Sequence, residues 1–198
     1  MSPRARRFAL ALLLPLAAAC EDVDIAGPEA SDGDALEAVL SSSALTSTAE
    51  AGPRDGGGGP SLFEQLAAEI PEFGGLFRTD RCAVGLVLTS LEHEQRAEEI
   101  VKEVLERLLG DACPNGVRVN AQRGEFTWLE LVRWLHASRP LHEIRGVIGI
   151  KIDYAANRLV VTVTAHAVVE HVLEALPRLG IPASAVLFEV GDTSGRRG

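Results

Sequence analysis

Residues 61–198 predict an α+β fold: two ββαβ units joined by a helix, with mixed sheet or sheets covered by helices on one face. Three features carry this expectation. Apolar runs of strand length alternate with segments whose apolar residues recur every three or four positions. Helical segments open on capping-box sequences, a Ser or Thr followed three residues later by Glu. The order strand, strand, helix, strand occurs twice, over 74–121 and 146–190.

Ser61-Leu62-Phe63-Glu64 opens a short helix that Pro71 stops. A short strand begins near Gly74, and Ala83–Thr89 is an apolar run long enough for a second strand. Thr89-Ser90-Leu91-Glu92 reads as the cap of a helix with Ala97, Ile100, Val101, Val104, Leu105 and Leu108 on one side. Gly110 ends it, Pro114-Asn115-Gly116 turns the chain, and Val117–Ala121 forms a strand. Thr127-Trp128-Leu129-Glu130 caps the joining helix, with Phe126 and Leu131 placed for a hydrophobic staple and Leu131, Val132, Leu135 and Trp128 facing inward. Beyond Pro140, Val147–Asp153 and Leu159–Thr164 read as a hairpin around Tyr154–Asn157, with Ile148, Ile150 and Ile152 inward. Ala165–Leu176 is a helix bearing Val168, Val169, Val172, Leu173 and Leu176, and Val186–Val190 is the last strand.

Ahead of this domain stand two other segments. Residues 1–19 combine Arg4, Arg6 and Arg7 with the apolar run FALALLLPLAAA, which is the order of an export signal and too short to span a bilayer permanently. Cys20 follows Ala17-Ala18-Ala19 where a lipoprotein carries its lipidated cysteine, although Ala17 stands where Leu is usual. The expected address is the cell envelope, with the chain held by lipid to the inner or outer membrane and facing the periplasm or exterior. Residues 20–60 are rich in Ser, Ala, Gly and acidic side chains, with few large apolar ones, so a disordered tether is expected. A transient helical turn over 34–40 is its one exception.

Without residues 1–19 the chain has 16 basic and 28 acidic side chains, a net charge of −12. Nucleic acid, whose phosphates require clustered Lys and Arg, is therefore excluded as a partner. The same acidity argues against docking on anionic lipid, which leaves the acyl chains to hold the membrane alone. In an oxidising compartment Cys82 and Cys113 form a disulfide by default; metal binding and two buried free thiols are the weaker readings. Each cysteine precedes one of two parallel strands, so the topology brings both to one end of a sheet.

No catalytic or metal constellation emerges. His166 and His171 flank Glu170, but five helical residues rotate the two imidazoles roughly 140° apart, so they cannot share a metal. His93 sits among charged residues at a helix start. Thr193 occupies the nucleophile position of a faint protease-like GDTSG in a polar tail, with no domain to supply the rest of a triad. His136, His142 and Glu143 around Pro140 are the best residues for a hydrolase with an unrecognised site. No cofactor is expected.

Three segments carry a resemblance: Phe73-Gly74-Gly75-Leu76-Phe77, the run 125–131 (EFTWLEL), and the hairpin from Gly146-Val147 through Asp153, Asn157 and Val161. Together they resemble the pro-regions of α-lytic protease and streptogrisin-type bacterial serine proteases, over roughly residues 73–190. The resemblance implies a module that binds a chymotrypsin-like protease, assists its folding and inhibits it through a C-terminal segment. Here that segment is Val186–Gly198, with Val186, Leu187, Phe188, Glu189 and Val190 as partner-binding residues. Two departures stand against the transfer, since no protease domain follows and a lipid anchor is foreign to a cleaved pro-region. Asp153 and Asn157 match the pattern as turn formers through Asx-type bonding. The expected function is thus a membrane-anchored, non-enzymatic, protein-binding module with a secreted serine protease as the nominated partner. A structural lipoprotein with no dedicated ligand is a further alternative.

Overall fold

In the computed structural model, which describes residues 35–40 and 60–191, the chain is α+β with two separate three-stranded sheets. A short helix, α1 (35–40), precedes α2 (Leu62–Glu69). The α2 capping box is formed: the Ser61 N–H donates to the Glu64 carboxylate at 2.7 Å and the Glu64 N–H donates to the Ser61 hydroxyl. Sheet A contains β1 (Phe73–Asp80), β2 (Ala83–Leu88) and β3 (Arg118–Arg123), with α3 (Glu94–Leu109) between β2 and β3. Sheet B contains β4 (Val147–Asp153), β5 (Arg158–Val163) and β6 (Val186–Val190), with α5 (Ala167–Ala175) between β5 and β6. In each sheet the first two strands are antiparallel, and the third runs parallel to the second.

Helix α4 (Trp128–Ala137) connects the sheets and serves both cores. Its Trp128 belongs to one apolar cluster with Phe63, Phe73, Leu86 and Val101. One turn on, Leu131 and Trp134 belong to the other, with Val161, Val163 and Val172. The Thr127–Glu130 capping box fixes the start of α4 and so decides which side chains enter which cluster.

Several local expectations shift. The segment Thr89–Glu92 does not cap α3: the Thr89 hydroxyl donates to the Glu72 carbonyl, the Ser90 hydroxyl accepts from Glu92 N–H in a turn, and the helix starts at Glu94 behind His93, which makes no side-chain cap. The side chain of Ile148 is exposed, not inward, because the β4–β5 register slips between Val147 and Gly149, inserting one extra residue that flips the alternation. Leu173 is exposed on α5, where Val172 supplies the buried contact. Within the expected tether the helical turn anticipated over 34–40 is present at 35–40, but it is not a solvated turn: Leu36 and Leu40 are buried in the cluster of Phe63 and Leu66. Two leucines four residues apart share one helix face, which is enough apolar area to seat this turn. Cys20 lies outside the described residues. Among those residues no helix is long and apolar enough to cross a membrane.

Cys82 and Cys113 are disulfide-bonded, their Cα atoms 5.8 Å apart, and the Arg118 N–H donates to the Cys82 carbonyl at 2.9 Å beside them. The bond closes β2, α3 and the 3-10 turn Gly110–Ala112 into a loop of sequence separation 31, for which chain entropy gives about 3–4 kcal/mol. The double variant Cys82→Ser/Cys113→Ser is expected to lose about that much stability in urea unfolding. A loss below about 1 kcal/mol would mean that the cross-link does not restrict the unfolded chain.

Candidate functional site

The segment Val186–Val190 forms strand β6, and among the described residues β6 is an edge whose one strand neighbour is β5. Val186 is buried and Phe188 is partly buried against the core of sheet B, so these two side chains anchor the strand. Leu187 is 44% exposed and Val190 49% exposed. On the face of Leu187, Lys151 of β4 reaches across β5 to Glu189 at 3.6 Å. The exposed Ile148 adds a further apolar group to this side of the sheet, beside Gly191 and Thr162.

The corresponding edge of sheet A differs. Strand β3 carries Arg118, Asn120, Gln122 and Arg123, and its Ala121 N–H donates to the Glu98 carboxylate of α3 at 2.9 Å. A helix side chain thus occupies a ladder donor that an incoming strand would need, and the flanking polar residues blunt the edge. Among the described residues, no side chain bonds to the backbone of β6. Its sequence VLFEV has four apolar residues, one acidic residue and no proline.

One buried side chain bonds sheet B directly to the neighbouring elements of sheet A. Asn157 is buried at the end of the β4–β5 turn with φ of 53°, the single described non-glycine residue at positive φ. Its Oδ1 accepts from the Glu125 and Phe126 N–H groups, both at 2.8 Å, and its Nδ2 donates to the Phe126 carbonyl at 2.8 Å and the Gly74 carbonyl at 3.4 Å. The hairpin of sheet B is therefore bonded to the β3–α4 connection and to β1 of sheet A. Gly124 permits the approach, since a Cβ there would lie 2.7 Å from Oδ1. Asp153 makes the expected Asx-type bond, accepting from Ala156 N–H at 2.9 Å. Asn157 departs from that expectation, spending its side chain on residues about thirty positions away. Arg158 seals the junction by stacking over Phe126 at 4.8 Å and pairing with Glu125 at 2.8 Å.

Beside this junction Phe63 packs edge-on against Phe73, Trp128 and Tyr154. Burial pushes the Tyr154 phenol above its usual range; the nearby Trp128 indole, which favours the ionised form, opposes this more weakly. The Trp128 N–H nevertheless meets no acceptor at hydrogen-bonding distance and angle. A cavity of about 360 Å³ opens next to Tyr154, lined also by Leu40, Phe63, Leu76, Arg78 and Lys151.

The histidines do not converge. His136, His142 and Glu143 are exposed on the end of α4 and on the 3-10 turn Arg139–Glu143. His166 precedes α5, and Glu170 and His171 are exposed on it. His93 is exposed at the start of α3. Thr193 lies outside the described residues. Among those described, no three His, Cys, Asp or Glu side chains are grouped to hold a metal ion. The class that emerges is an α+β domain of two three-stranded sheets, in which the β3 edge is guarded by a helix carboxylate and the β6 edge is not. No family model, curated protein or solved structure matches the chain.

Asn157→Ala removes the acceptor for two backbone amides and puts a Cβ-bearing residue without a polar side chain at positive φ. A stability loss of about 3–5 kcal/mol is expected in urea unfolding, with Asn157→Gly less damaged by about 1 kcal/mol because glycine accepts that φ. Equal losses in both variants would show that the backbone conformation contributes nothing. For Tyr154 the folded state favours the neutral phenol, so its contribution is complete below the unfolded pKa of about 10 and is lost as pH rises beyond it. Tyr154→Phe is expected to flatten the alkaline limb of stability against pH above about pH 10, and an unchanged limb would assign the slope to other groups.

Proposed function

We propose that this chain is a lipid-anchored envelope protein whose α+β domain captures a protein partner by adding a strand to β6. The observation that carries the reading is the contrast between the edges at β3 and β6. Glu98 and charged side chains guard β3, while β6 presents Leu187 and Val190 beside an unpaired backbone. Strand addition uses main-chain hydrogen bonds for affinity and alternating side chains for specificity, and this edge offers both. A lipid on Cys20 would place the domain in the envelope. The nominated partner is a secreted trypsin-like serine protease, which rests on the pro-region resemblance of residues 73–190. In that reading the module acts in trans as an inhibitor or folding aid, with β6 and the residues beyond it as the contact segment.

The test crosslinks the full processed chain to envelope proteins of its own host and maps the links by mass spectrometry. A serine protease linked through 186–190 is expected, with recovery reduced about tenfold or more by Leu187→Lys/Val190→Lys, because lysine on an edge opposes strand pairing. Links that fall elsewhere, or recovery unaffected by the two lysines, would overturn the β6 interface. Palmitate incorporation that disappears in Cys20→Ala tests the anchor separately.

A further inference from the structure

An acidic chain need not be acidic everywhere. Beginning on α4 and continuing through the 3-10 turn, Arg133, His136, Arg139, His142 and Arg145 recur at every third position, and all five are exposed. The opposite side of this segment is buried through Leu131, Trp134, Ser138 and Leu141. In the α-helical part, Arg133 and His136 lie on the turn face opposite Leu131 and Trp134. In the 3-10 part, residues three apart eclipse, so Arg139 and His142 stand in line. The stripe is on the order of 20 Å long by helical rise.

Arg133, Arg139 and Arg145 have no carboxylate partner among the described residues. Arg78, Arg96, Lys102, Arg107, Arg118, Lys151 and Arg158 each pair with one. The Arg133 guanidinium lies over the ring of its neighbour Trp134, 5.7 Å from the centroid. Glu130, the nearest acidic residue on α4, is committed to the Thr127 cap, which leaves Glu143 as the carboxylate within the stripe. At the head of the same face Leu129 is 60% exposed, the most exposed of the large apolar side chains described.

We infer that this stripe is a docking surface for an anionic lipid bilayer, with headgroup phosphates paired to Arg133, Arg139 and Arg145 and Leu129 entering at headgroup depth. Arginine forks match phosphate oxygens, and a row of unpaired arginines on a convex helix needs a flat, extended anion, not a pocketed one. Charges act within a Debye length of about 8–10 Å, so the local row outweighs carboxylates on distant faces despite the net negative charge. The inference stands on the side chains alone and goes beyond the anchoring proposal. A lipid on Cys20 would strengthen the docking by raising the local concentration of bilayer.

The experiment uses the processed chain, residues 20–198, with Cys20→Ser so that no acyl group contributes. Cosedimentation is measured with vesicles of phosphatidylcholine alone and with vesicles containing about one third phosphatidylglycerol. At low salt, binding to the anionic vesicles is expected to be about tenfold or more stronger, and to vanish near 0.5 M salt. Arg133→Gln/Arg139→Gln/Arg145→Gln should bring it down to the level of the neutral vesicles, with its thermal unfolding showing that the variant is folded. Arg96→Gln/Arg107→Gln, which removes two exposed arginines from α3, should leave it unchanged. Equal binding to the two vesicle types, retention in the triple variant, or an equal loss in the α3 variant would each overturn the inference.

Discussion

The carboxamide of Asn157 is the constraint on which the relation of the two sheets depends. Each sheet has its own apolar cluster, and apolar packing alone tolerates small slides of one layer past another. Four hydrogen bonds from one buried side chain do not, because any slide leaves a backbone amide or carbonyl without a partner and without water. The positive φ of this residue belongs to the same device. It turns the side chain back from the hairpin towards the β3–α4 connection, and asparagine is among the few residues that accept this conformation cheaply. Arg158 and Phe126 then cover the junction, and the start of α4 follows directly from it.

From that junction the helix α4 acquires two opposed duties. Its inner side spans both cores, Trp128 in one and Leu131 with Trp134 in the other. Its outer side is thereby fixed towards solvent along its whole length, which is why the basic residues spaced by three form a row. The open edge at β6 depends on the same placement, since α4 and α5 pack on the inner side of sheet B and leave Leu187, Glu189 and Lys151 on the other.

Much of this was legible in the sequence because the signals were local. Two of the three expected capping sequences, at Ser61 and Thr127, form as their spacing requires, and Val186–Val190 is a strand over those same five residues. The pairing of Cys82 with Cys113 followed from strand order. What escaped depended on events far away in the chain or on small register changes. Nothing near Ile148 announces the extra residue that turns it outward, and nothing near Asn157 announces bonds to residues about thirty positions earlier. Leu36 and Leu40 were hidden by their acidic, glycine-rich surroundings, although two leucines on one helical face were present to be read. The stripe from Arg133 to Arg145 was obscured by summing charge over the whole chain. The Glu98 bond to Ala121 had no sequence signal at all, because it joins a helix face to an edge known only once the sheet is assembled.

That Glu98 bond bears on stoichiometry. A protein with receptive edges on both outer strands can accept one neighbour at each, and identical copies could then add end upon end into a filament. Here the chain's own carboxylate takes up an outward donor of β3, so identical copies could not stack through that edge of sheet A without first breaking a bond that the fold already makes.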